Sequence, residues 1–170
     1  MSLSLLNIIS ALNEQQKTQL RNTWDLLYVR EKRGRVGADL FISLFREHPK
    51  YRQQFRSFKD DHDLAALAET AKLKAHGFRV VATINNLIET LDDPALFVEQ
   101  LKNMARTHHL HGVHRDSFGD MAPILLATFG NHIGGKFTPK AREAWVAAYN
   151  FIVDTLVAEY EVIGRESGTE

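Results

Sequence analysis

The sequence contains no cysteine. That absence removes disulfides, thiolate-ligated zinc, iron–sulfur clusters and cysteine nucleophiles. Net charge is absent as well. The 21 Lys and Arg residues balance 21 Asp and Glu residues, so no broad electrostatic footprint for nucleic acid or anionic lipid is expected. No run approaches the roughly 20 apolar residues of a membrane span. Sustained period-2 alternation and Asn-Gly or Asp-Gly hairpin turns are also missing, which argues against a sheet. The start lacks a basic leader and a small-x-small cleavage motif, unlike a secretory signal. Ser2 stands where myristoylation needs glycine. The expectation is a cytoplasmic protein without nucleic-acid or membrane partners.

What is present is helical periodicity in a 170-residue chain, a length that fits one domain able to bury roughly two-thirds of its unfolded surface. Asn13 and Gln16 resemble a capping box ahead of Leu20, Trp24 and Leu27. A second helix carries Val36, Leu40, Phe41, Leu44 and Phe45 and stops before Pro49. Residues 49–62 read as irregular and polar, yet hold Phe55 and Phe58; these aromatics must cover something apolar. One long helix is predicted over 64–91, capped by Asp63, with the stripe Leu73, His76, Val80, Ile84, Leu87 and Leu91. Asp93-Pro94 starts another, with Phe97, Leu101, Met104 and His108 on one face, ending at Gly112. Helices over about 115–130 and from Pro139 onward follow. Leu5, Ile8, Ile9 and Leu12 share a face, read as an extra turn on the body rather than a membrane or partner helix.

Two of the eight histidines, His76 and His108, sit on apolar stripes of consecutive helices. A buried imidazole must find partners for its ring nitrogens. One such residue reads as structural; two can face each other across a gap. Neutral imidazole is a common metal ligand. Without cysteine, and with no acidic residue on either stripe, a bare zinc or di-iron site lacks ligands. Imidazoles among apolar neighbours suit a metal whose other ligands come from a cofactor, and haem iron is the obvious candidate.

The order Phe45, Pro49, Phe55, then Lys74-Ala75-His76-Gly77 with Val80, then Leu101, Met104, His108, Gly112, Val113 and Phe118, then Phe137-Thr138-Pro139 and Ala144-Trp145 resembles the globin family, of invertebrate or neuroglobin-like type. The resemblance covers almost the whole chain. It implies an all-α globin fold of about seven to eight helices in a three-over-three sandwich around haem b. A domain over residues 13–160 would lie between an extension (1–12) and a flexible tail (161–170). His108 would be the proximal iron ligand and His76 the distal histidine. Phe55 would stack on the porphyrin. Phe41 and Val80 would line the distal side, and Met104, Val113, Phe118, Met121 and Ile152 the proximal side and rear. Arg79 would meet a propionate, with Lys72 and His111 as alternatives. Gly37 and Gly77 match small residues at a close helix crossing. His109 rivals His108, but Met104, Gly112 and Val113 stand at globin distances from His108.

The implied function is reversible oxygen binding, for storage, transport or sensing, with carbon monoxide and nitric oxide as further ligands. The Phe41, Phe55, His76 and Val80 set resembles the distal set of neuroglobin more than that of vertebrate myoglobin. It raises the alternative of a bis-histidine, six-coordinate globin acting in nitric oxide or redox chemistry, with His76 as sixth ligand. An enzymatic side activity on nitric oxide or nitrite would need an external electron donor. Other readings are weaker. Gly130 to Lys136 has P-loop spacing, but Phe137 stands where Ser or Thr must hold magnesium. His108, His109, His111 and His114 look like zinc ligands, but no single helix face presents three of them. A homodimer through the second or last helix is compatible with the pattern, although no heptad seam supports it.

Overall fold

A computed structural model describes residues 12–61, 63–166 and 168. The apolar face expected of Leu5, Ile8 and Ile9 lies outside these residues; Leu12 is buried. Among the described residues, seven α-helices and two short 3-10 turns account for the regular structure. They are α1 (Glu14–Leu27), α2 (Arg33–Glu47), a 3-10 turn at Pro49–Gln54, α3 (Leu64–Glu69) and α4 (Ala71–Glu89). These are followed by α5 (Pro94–Leu110), α6 (Ser117–Ile133), a 3-10 turn at Gly134–Lys136 and α7 (Pro139–Glu166). The Asn13–Gln16 capping box forms in both directions, at 2.9 and 3.0 Å. Pro94 opens α5, where Asp93 accepts from the Leu96 N–H.

The chain departs from expectation at several boundaries. The helix predicted over 64–91 is two helices, because Thr70 takes an extended conformation (ψ 138°) and its side chain caps α4 by accepting from the Leu73 N–H. The second helix already includes Arg33 and Arg35. The sixth helix continues through Gly130 to Ile133. The segment expected as a flexible tail is helical through Glu166. Residues 155–160 turn Thr155, Leu156 and Glu159 into the body, and that anchoring carries the helix onward.

The helices form two crossed layers, α1, α4 and α5 against α2, α6 and α7. The main packings are α2 on α4, α5 on α7, α1 on α7 and α2 on α6. The closest crossing is α2 on α4. A Cβ added at Gly37 would fall on the Gly77 backbone, and one added at Gly77 on the Gly37–Ala38 backbone. Only residues without side chains permit this approach. Trp24, Phe129 and Trp145 meet where α1, α6 and α7 converge, with centroids 4.9–6.0 Å apart. Their buried indoles keep their hydrogen bonds: Trp145 Nε1 donates to Thr23 Oγ1 (2.8 Å) and Trp24 Nε1 to Asn85 Oδ1 (3.0 Å).

This arrangement sets the site. The helices bearing the two histidines pack chiefly on different partners, α4 on α2 and α5 on α7. On α4, Leu73, Gly77, Val81 and Ile88 are fully buried, while His76, Val80 and Ile84 are half-buried. The predicted stripe is therefore two neighbouring stripes: one is a helix–helix seam, and the other carries His76.

Candidate functional site

His76 lies in an aromatic wall. Its ring centroid is 4.6 Å from Phe41, 5.5 Å from Phe55 and 5.8 Å from Phe58. Phe55 also touches Phe41 and Phe45 edge-on, at 5.4 and 5.3 Å. Three segments supply this wall: α2 gives Phe41 and Phe45, the loop after the first 3-10 turn gives Phe55 and Phe58, and α4 gives His76. Phe58 is buried. Its position on His76 was not foreseen, although aromatics in a polar loop signalled a surface to cover. Val80 is half-buried one turn beyond His76 and packs on the core.

The polar chemistry of His76 is well defined. Arg79 Nη2 lies 2.9 Å from His76 Nδ1. A guanidinium has donors and no acceptor, so Nδ1 accepts the bond and the proton of the neutral ring sits on Nε2. Burial first, then the Arg79 charge, then the His108 charge hold the His76 pKa below its ordinary value. The ring is therefore neutral at neutral pH. Arg79 was expected at a propionate; here its guanidinium lies on His76. Lys72 donates to the Ser57 carbonyl and lies over the Phe58 ring, and His111 is exposed at the end of α5.

His108 has the opposite polarity. Its Nδ1 lies 2.8 Å from the Met104 carbonyl oxygen, one turn back in α5. A carbonyl only accepts, so Nδ1 carries the proton and the Nε2 lone pair is unclaimed. Phe118 meets the ring edge-on at 5.5 Å. The end of α5 fixes this residue. The Val113 N–H donates to His108 O (3.0 Å) and the Gly112 N–H to His109 O (2.9 Å), a Schellman closure that needs the left-handed Gly112 (φ 72°). Tyr160 donates to Val113 O (2.9 Å) and Tyr149 to Phe118 O (2.9 Å), so α7 holds the backbone on this side. Burial raises both phenols, Tyr160 to about 12. Neither tyrosine was singled out for this part; a polar tip on the apolar α7 stripe was the available signal. Met104, Val113, Met121 and Ile152 are partly buried against the same core.

His109 is exposed and packs edge-on against Tyr160 at 5.4 Å, while His114 pairs with Asp116. His108, His109 and His114 thus have separate partners, and His111 is exposed. Among the described residues no group of three or more His, Cys, Asp or Glu side chains forms a metal shell. The donor set inside the molecule is one imidazole whose Nδ1 is held by a carbonyl, one whose Nδ1 is held by a guanidinium, and apolar walls. It suits a metal whose other ligands come from a planar apolar cofactor.

The comparisons with known proteins bear on the family and the fold. A globin family model matches residues 38–156. A globin of Tritia mutabilis is 30% identical over 144 residues, 84% of this chain and 97% of that protein. A globin of Buccinum undatum is 31% identical over the same shares, and cytoglobin-1 of Oryzias latipes is 24% identical over 154 residues, 90% of this chain and 86% of that protein. The fold and the site define an all-α haem-protein class, and the chain belongs to the globin family. No helix among the described residues is long and apolar enough to cross a membrane.

Proposed function

We propose that this chain binds haem b and, through it, binds oxygen reversibly. The observation that carries the reading is the pair of opposed ring contacts: His108 Nδ1 lies on a carbonyl oxygen, and His76 Nδ1 lies on a guanidinium. When bound, haem supplies a ferrous iron that takes up diatomic gases reversibly. His108 offers its Nε2 to that iron, and the Met104 carbonyl orients its ring. His76 would present its Nε2–H to a gas ligand held in the pocket. Such a charge-assisted bond contributes on the order of 1.5–3 kcal/mol. Phe41, Phe55, Phe58 and Val80 exclude water, which slows oxidation of the iron. Phe55 would stack on the porphyrin, and Val113, Phe118, Met104, Met121 and Ile152 would wall the His108 side. Carbon monoxide and nitric oxide are ligands of the same site.

Storage, transport and sensing share this chemistry. The bis-histidine alternative requires a lone pair on His76 Nε2, and the Arg79 bond to Nδ1 counts against it. Hemin titration of the purified chain tests the reading. A Soret band saturating at one hemin per chain is expected, followed after reduction by an oxygen complex that reverts on degassing. No saturable uptake would overturn it.

A further inference from the structure

We propose that Arg79 is a positioning residue that holds His76 in the Nε2–H tautomer, keeping it a hydrogen-bond donor to gas and withholding it from the iron. The inference rests on the haem reading above.

A neutral imidazole has one proton for two nitrogens, and a partner at one nitrogen decides the state of the other. At His108 the partner is the Met104 carbonyl, which takes a proton on Nδ1 and leaves a lone pair on Nε2. At His76 the partner is a guanidinium, which needs the lone pair on Nδ1 and leaves the proton on Nε2. The two rings are therefore set in opposite states by local partners, each within one turn of its own helix. For His76 to ligate iron, its proton must move to Nδ1. That shift breaks the Arg79 bond and turns an N–H toward a cation.

Spacing and availability both support the assignment. Arg79 is three residues beyond His76, on the same face of α4. Among the described residues, its guanidinium has no carboxylate partner to draw it away. The contact is solvent-exposed, so removing it moves a two-state ratio by about two- to fivefold.

The test uses the full chain loaded with zinc protoporphyrin, which is diamagnetic and five-coordinate, so His76 stays off the metal. Long-range proton–nitrogen NMR at pH 8 reads the tautomer. His76 of the parent chain should show an unprotonated Nδ1, Arg79→Lys should retain it, and Arg79→Met should shift protonation toward Nδ1. In the haem-loaded, deoxygenated ferrous protein, Arg79→Met should raise the ratio of six- to five-coordinate species by about two- to fivefold, seen as two sharp visible bands growing at the expense of one broad band. If both porphyrins bind and Arg79→Met changes neither tautomer nor coordination, this inference is overturned while the haem reading stands. A chain that takes up neither porphyrin overturns both.

Discussion

His108 Nδ1 sits 2.8 Å from the Met104 carbonyl oxygen, and that contact leaves Nε2 as the one nitrogen able to ligate a metal. His108→Gly should abolish stoichiometric hemin binding, and free imidazole added to the variant should restore the Soret band. Recovery by imidazole separates a lost ligand from a lost fold. His76→Leu keeps the wall apolar and removes the donor. Oxygen dissociation, read by stopped flow, should then rise about tenfold to a hundredfold. Both histidines were legible from the sequence, since an imidazole on an apolar helical stripe is conspicuous. Phe58 and the Arg79 contact were not. A loop aromatic has no periodicity to give its direction, and a flexible arginine three residues from a histidine can serve either that ring or a propionate.

Helix α4 shows why stripes are harder to read than residues. Its seam on α2 and its face toward the aromatic wall are adjacent, so Leu73, His76, Val80 and Ile84 looked like one buried line. Gly77 marks the true seam. Gly77→Ala should destabilise the fold by about 1–3 kcal/mol or more, measured by urea unfolding, because a backbone and not a side-chain tip must yield. The break between α3 and α4 was hidden for a related reason. No glycine or proline marks it, and Thr70 is unremarkable inside a helical pattern until its hydroxyl is seen capping Leu73. At the other histidine helix, Gly112 has φ 72° with open space around its Cα. Gly112→Ala should therefore act by backbone strain alone, on the order of 1 kcal/mol. It should also weaken hemin retention, since the same closure holds the His108 carbonyl.

At the scale of the molecule, α7 ties the His108 side of the site to the body. It carries Tyr149 and Tyr160 to the backbone around His108, Trp145 to α1, and Glu159 to α5. The Glu159 carboxylate is 5% exposed and meets Arg106 Nε and Nη2 at 2.9 and 2.8 Å. Arg106→Met would leave that carboxylate buried and unpaired. A loss of roughly 1–3 kcal/mol in thermal or urea unfolding is expected, below the usual buried-pair value because Arg106 is half exposed. The helical class and the order of helices were legible because periodicity, caps and Gly or Pro stops agreed. The reach of α7 to Glu166 was not, because a polar C-terminal sequence reads as a tail until its inward contacts are known.

The most direct measurement is the visible spectrum of the hemin-reconstituted, reduced and deoxygenated chain, taken again after exposure to oxygen. One broad visible band that splits on oxygenation and returns on degassing is the predicted result. Two sharp bands before oxygen is admitted would place His76 on the iron and contradict its assignment as a donor held by Arg79. The absence of any one-to-one hemin complex would contradict the haem assignment itself.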